Sequence, residues 1–138
     1  MDNKFYVSYE AARLLKEKGY RDKTMYGYSS EDQSMNTLDV REDYDWNDPD
    51  DEFHSTETGE YVEMFAAPTK AEAIDWLESK GIVISVEYIN GLWDCQIYSF
   101  VDGTILHGKA LPMVYDMVNF TTRLEAEDAA IIKALELL

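Results

Sequence analysis

Cysteine is nearly absent from this chain. Cys95 stands alone among 138 residues, so no intrachain disulfide can form and a hydrophobic core must supply the stability. That excludes a secreted disulfide scaffold and fits a reducing, cytoplasmic setting. Basic residues are scarce, with 12 Lys and Arg against 28 Asp and Glu for a net charge of −16. Such a surface repels phosphate backbones and acidic membranes, which argues against direct nucleic-acid binding and against membrane association. Long apolar runs are missing too. None approaches the roughly 20 residues of a membrane span, and Met1-Asp2-Asn3-Lys4-Phe5-Tyr6 lacks the basic and then apolar pattern of a signal peptide. A soluble, unprocessed protein is expected. The seven glycines are scattered at turns and caps, so no phosphate-cradling loop is present.

What the chain has is 46% hydrophobic residues, eighteen of the total being aromatic, which is ample for one core. Its charge is unevenly spread: residues 1–23 carry six bases and four acids, whereas residues 24–138 carry six bases and twenty-four acids. The densest stretch runs from Asp39 to Glu60, where ten carboxylates face one base, Arg41. Tyr44, Trp46 and Phe53 are threaded among them. Carboxylates so crowded repel one another, so the segment must stay hydrated, bind cations or meet a basic partner.

Several elements carry clear local signals. Ser8 is a good N-cap for a helix from Tyr9 to Lys18, with Ala11, Leu14 and Leu15 as its apolar stripe and Gly19 as the residue that ends it. Thr24 to Tyr28 is β-prone, Ser29 to Asn36 is turn-rich, and Tyr61 to Phe65 reads as one strand. Thr69-Lys70-Ala71-Glu72 is a capping box for a helix that presents Ala73, Ile74, Trp76 and Leu77 and stops at Gly81. Ile82–Ile89, Asn90-Gly91 and Leu92–Val101 form a hairpin whose two-residue turn fixes the register: Tyr88 opposite Trp93, Val86 opposite Cys95, Ile84 opposite Ile97, all on the buried face. Glu87 then lies opposite Asp94 on the polar face. Asp102-Gly103 predicts a third strand at Thr104–His107. Residues 110–120 are ambiguous between loop, short helix and edge strand, and Thr122-Arg123-Leu124-Glu125 is a second capping box. The last helix has Leu124, Ala130, Ile131, Ala134, Leu135 and Leu138 as its stripe.

The expectation is an α+β fold, a single domain over 1–138 with an acidic insertion or loop at 39–60. An antiparallel sheet of three to five strands packs on two or three helices, and the C-terminal part is ordered helix-strand-strand-strand-helix. That is also the order of the double-stranded-RNA-binding domain, in which the second helix opens with a lysine-rich turn. Here the turn reads Glu125-Ala126-Glu127-Asp128, which inverts the charge.

Chemical signatures are sparse. Asp43, Asp45, Asn47 and Asp51 occupy positions 1, 3, 5 and 9 of a 12-residue EF-hand loop, but Asp48 stands where glycine makes the turn and His54 where a glutamate closes the shell. A looser divalent-cation site remains an alternative; otherwise no cofactor is expected. Cys95 sits mid-strand on the core side, a small buried apolar residue rather than a nucleophile. Tyr98, His107 and Lys109 share the polar sheet face and mark where an enzyme's site would lie, although no catalytic residue can be assigned.

Three segments look familiar together: Val7-Ser8-Tyr9-Glu10-Ala11-Ala12 leading to Leu14-Leu15-Lys16-Glu17-Lys18-Gly19-Tyr20; Ala67-Pro68-Thr69 with Ala73, Trp76-Leu77 and Lys80-Gly81-Ile82; and Glu127-Asp128-Ala129-Ala130-Ile131-Ile132-Lys133-Ala134-Leu135. The chain resembles a family of small uncharacterised proteins encoded by bacteriophages and mobile elements of gut bacteria. The resemblance spans both ends and the middle helix but not Asp39–Glu60, and it brings no catalytic residues. It implies an accessory role, and small acidic phage proteins include inhibitors that imitate the phosphates of DNA. The reading is a non-enzymatic protein that binds a partner with a basic surface through Asp43, Tyr44, Asp45, Trp46, Asp48, Asp50, Asp51, Glu52 and Phe53. Nucleic-acid mimicry is its sharpest form.

Overall fold

The computed structural model describes residues 3–37, 43–99 and 113–138. They form an α+β fold in two compact units, one of Tyr6–Pro68 and the other of Met1–Phe5 with Thr69–Leu138.

In the first unit, helix α1 (Tyr9–Glu17) starts at Ser8, whose Oγ accepts from the Ala11 amide at 3.3 Å. The buried stripe is Ala11, Ala12 and Leu15, with Leu14 only half-buried. After Gly19, at φ +94°, the chain continues into β1 (Tyr26–Ser29) and β2 (Met35–Thr37). Strand β1 is central in an antiparallel sheet ordered β2-β1-β5, where β5 is Met64–Ala66. Strands β3 (Phe53–His54) and β4 (Tyr61–Val62) make a separate two-stranded ribbon. The stretch read as one strand from Tyr61 to Phe65 is therefore two. Val62 pairs with Phe53 and Met64 with Ser29, so the chain changes sheets at Glu63.

The second unit has the expected order. Helix α2 (Lys70–Ser79) is closed by the capping box: Thr69 Oγ1 accepts from the Glu72 amide at 3.1 Å, and Glu72 Oε1 from the Thr69 amide at 3.0 Å. Strands β6 (Ile82–Ile89) and β7 (Leu92–Ser99) pair in the expected register, Ile84 opposite Ile97, Val86 opposite Cys95 and Tyr88 opposite Trp93. The far neighbour of β7 is β8 (Met113–Phe120), within the segment the sequence left ambiguous. Thr104–His107 lie outside the described residues. Helix α3 (Arg123–Leu137) buries Ala126, Ala130, Ile131, Ala134 and Leu135, and Cys95, Ala126 and Ala130 form a core ringed by Ile84, Val86, Trp93, Met117 and Phe120. Tyr88, assigned to the buried face, is 63% exposed at the end of the hairpin. The second capping box is only half made. Thr122 Oγ1 accepts from the Glu125 amide at 3.1 Å, while the Glu125 carboxylate accepts from the Thr121 hydroxyl at 2.8 Å.

Candidate interaction site

The acidic segment, from Asp43 onward, is built into the first unit. Tyr44 makes an antiparallel bridge to Thr24, the two exchanging amide-to-carbonyl bonds of 2.9 Å. Trp46 follows and is a core residue, 2% exposed. Its Nε1 donates to the Thr24 carbonyl at 3.1 Å, and its indole lies directly over Gly27. A Cβ there would sit 2.9 Å from the indole Cγ and closer still to Cδ2 and Cε3. Trp46 stacks on Phe53 with centroids 5.8 Å apart, and Tyr44 packs edge-on against both rings. Burying an indole removes roughly 150–250 Å² from water, worth about 4–6 kcal/mol.

Asn47 completes the anchor. Although it is 4% exposed, both ends of its amide are satisfied: Nδ2 donates to the Tyr20 carbonyl at 2.8 Å, and Oδ1 accepts from the Ala66 amide at 3.0 Å. One side chain thus joins the chain just beyond α1, the acidic segment and β5.

The acids themselves divide into two groups. Asp45 and Asp48 build turns, Oδ1 of each accepting an amide two residues on, from Asn47 at 3.2 Å and Asp50 at 2.9 Å. Arg21 clamps them: its Nε and Nη2 donate to Asp45 Oδ2 at 2.9 and 2.7 Å, and Nη2 lies 3.7 Å from Asp48. The Asp45 hydrogen bonds, aided by the charges of Asp45, Asp48 and Asp50, raise the Arg21 pKa above its ordinary value. Asp43, Asp50, Asp51, Glu52, Glu57 and Glu60 are exposed. Among the described residues no ion pair reaches Asp50, Asp51, Glu57 or Glu60, while Arg13 pairs with Glu17, Lys16 with Glu63 and Arg21 with Asp45. Glu52 lies 3.6 Å from His54 Nε2.

The nine residues expected to form one contact surface therefore separate by role. Trp46 is withdrawn into the core because an indole beside Gly27 gains more from burial than from display. Tyr44 and Phe53 are half-buried supports, Asp45 and Asp48 are largely spent on turns, and Asp43, Asp50, Asp51 and Glu52 face solvent. The four residues of the cation alternative do not converge as a cage. Asn47 is buried with its amide engaged, Asp45 is held by Arg21, and among the described residues no three His, Cys, Asp or Glu side chains are placed to hold a metal.

A feature the sequence did not reveal is a cleft of about 480 Å³ in the same unit. It is lined by Glu31 and Asp32 of the β1–β2 turn, by His54, Ser55 and Glu57 of the β3–β4 ribbon, and by Trp46 and Phe53. Ser55 Oγ donates to Glu31 Oε1 at 2.9 Å and accepts from the amides of Glu57 and Thr58. Asp32 accepts from the hydroxyl of Ser34 and, as a smaller contribution, from its amide, which lowers its pKa below the ordinary value. The only signal for this site in the sequence is the turn-rich composition of Ser29–Asn36, which says nothing about what the turn faces.

On the polar face of the second unit, Glu87 does stand opposite Asp94. Asp94 Oδ1 accepts from the Asn119 amide at 3.1 Å, next to a register shift, with Asn119 at φ +73°. Tyr98 is half-buried on this sheet, whereas His107 and Lys109 lie outside the described residues. Cys95 is fully buried, and burial, followed by the charges of Asp116 and Asp94, pushes its thiol up to about 11. Among the described residues no helix is long and apolar enough to cross a membrane. Comparison with protein-family models, with curated proteins and with solved structures finds no match to this chain.

Proposed function

We propose that this chain is a non-enzymatic binding protein whose acidic surface in the Tyr6–Pro68 unit engages another protein through that partner's basic face. The observation that carries the reading is the anchoring of the acidic segment by Trp46 and Asn47, joined to residues 19 to 27 positions away in the sequence. A hydrated solubilising loop needs no such anchor. Carboxylates held on a packed scaffold lose little conformational freedom when a partner arrives, which is how preorganisation adds affinity. Asp50, Asp51, Glu52, Glu57 and Glu60 supply the charge, and complementary lysines and arginines supply the attraction and the fast encounter.

The natural partner class is a protein whose basic face otherwise holds phosphates, since carboxylates satisfy the same donors. That is nucleic-acid mimicry, and it agrees with the accessory role implied by the resemblance to phage-encoded proteins. The test is competition: the chain is added to complexes of DNA with candidate DNA-binding proteins over a salt series. Displacement that weakens with salt and disappears when the five acids become Asn and Gln supports the proposal. Displacement unchanged by that replacement refutes it.

A further inference from the structure

We propose that the cleft between the β1–β2 turn and the β3–β4 ribbon receives an arginine side chain of the partner. This rests on the function proposed above and names the contact that would orient the partner on it.

The chemistry of the lining selects the ligand. Glu31, Asp32 and Glu57 bring three carboxylates to the lining, and among the described residues no lining residue is Lys or Arg, so the lining repels an anion and attracts a cation. At about 480 Å³ the cleft lies within the range of small-ligand sites. Two of these carboxylates are held by the protein itself: Glu31 by Ser55 at 2.9 Å and Asp32 by the Ser34 amide at 3.0 Å. Each of these carboxylates keeps acceptor positions free, because those bonds engage one oxygen only. Phe53 adds an aromatic side chain to the lining, its ring stacked on the buried Trp46 at an interplanar angle of 21°. A planar guanidinium uses both parts of such a site, forking its donors onto carboxylates while its face lies on a ring. An ammonium is a point charge with no planar face to stack on a ring and no fork to match a carboxylate.

The probe is a short Gly/Ser peptide with one central arginine, titrated into the full chain and followed by amide NMR. A citrulline peptide serves as the uncharged isostere. The arginine peptide is expected to shift the Ser55, Glu57 and Asp32 amides and to bind about tenfold more tightly than the citrulline peptide, the scale of one charge-assisted hydrogen bond. Glu31→Gln and Asp32→Asn retain the acceptors that Ser55 and Ser34 need, so the turn stays intact; with Glu57→Gln, each should weaken the arginine peptide about tenfold. Asp50→Asn and Asp51→Asn, outside the cleft, should leave it unchanged. Equal binding of both peptides, shifts confined to other surfaces, or indifference to the three cleft substitutions overturns the proposal. If those substitutions are silent while neutralising Asp50, Asp51, Glu52 and Glu60, none of which lines the cleft, abolishes displacement of DNA, the cleft assignment falls and the binding function stands. If neither set matters, both fall.

Discussion

Replacing Asn47 by alanine removes the hydrogen-bond partner of the Ala66 amide and a donor to the Tyr20 carbonyl, both in a buried setting. A buried donor left without its acceptor costs about 1–3 kcal/mol, and a lost neutral hydrogen bond about 1 kcal/mol. The expected loss is thus roughly 2–4 kcal/mol, a large share of a typical domain's stability. Urea unfolding followed by tryptophan fluorescence measures it, and hydrogen exchange at the Ala66 amide should accelerate together with that of residues 43–48. Asn47→Asp isolates the donor. It keeps the size and the acceptor, but at neutral pH it sets a carboxylate against the Tyr20 carbonyl. Burial raises the folded pKa of that carboxyl above its unfolded value of about 3.9, so the folded state holds the extra proton. Relative to the wild type, the variant should therefore be weakest at neutral pH and recover as pH falls through the raised pKa, where the protonated carboxyl can donate again. An alanine variant within about 0.5 kcal/mol of the wild type, the scale of ordinary surface changes, would refute the assignment of Asn47 as an anchor.

Gly27→Ala should cost about 1–3 kcal/mol in the same unfolding assay, because the added methyl meets the Trp46 indole and the core is already packed; no change would mean the indole does not lie on Gly27. Cys95 should resist alkylation in the folded protein at pH 8 and react on unfolding, since it is buried and its thiol is pushed up to about 11; labelling at the rate of a free thiol contradicts this. The Asp32 carboxyl should titrate by NMR with a midpoint below the ordinary 3.8. Its contribution to stability is therefore present above that pH and is lost as pH falls through the depressed midpoint. A midpoint at or above 3.8 would remove the Ser34 hydrogen bonds from the account.

Local chemistry made much of the second unit legible. The Thr69 capping box and the Asn90-Gly91 turn each depend on residues within a few positions, and a two-residue turn leaves no freedom in the pairing of Ile84, Val86 and Tyr88. Strand β8 was obscured because its pairing with β7 is broken by two register shifts, so its apolar residues follow no clean alternation. In Tyr61–Ala66 alternation failed for another reason: a chain can leave one sheet for another at a single residue without altering its pattern. The acidic segment was the least legible. Asp and Glu dominate its composition, whereas its structure is decided by Trp46 and Asn47, whose partners Thr24, Tyr20 and Ala66 lie 22, 27 and 19 positions away. Composition identified the charged surface; only the fold could tell displayed carboxylates from those that make turns, or place Glu31 and Asp32 beside Glu57.

The central claim is that an anchored acidic surface binds a basic partner, and calorimetric titration of a DNA-binding protein that the chain displaces from DNA tests it most directly. Wild type should bind with an affinity that falls steeply with salt, and the protein with Asp50, Asp51, Glu52, Glu57 and Glu60 neutralised should lose most of that affinity while unfolding at the same urea concentration. Undiminished binding by the neutralised, fully folded protein would contradict the account.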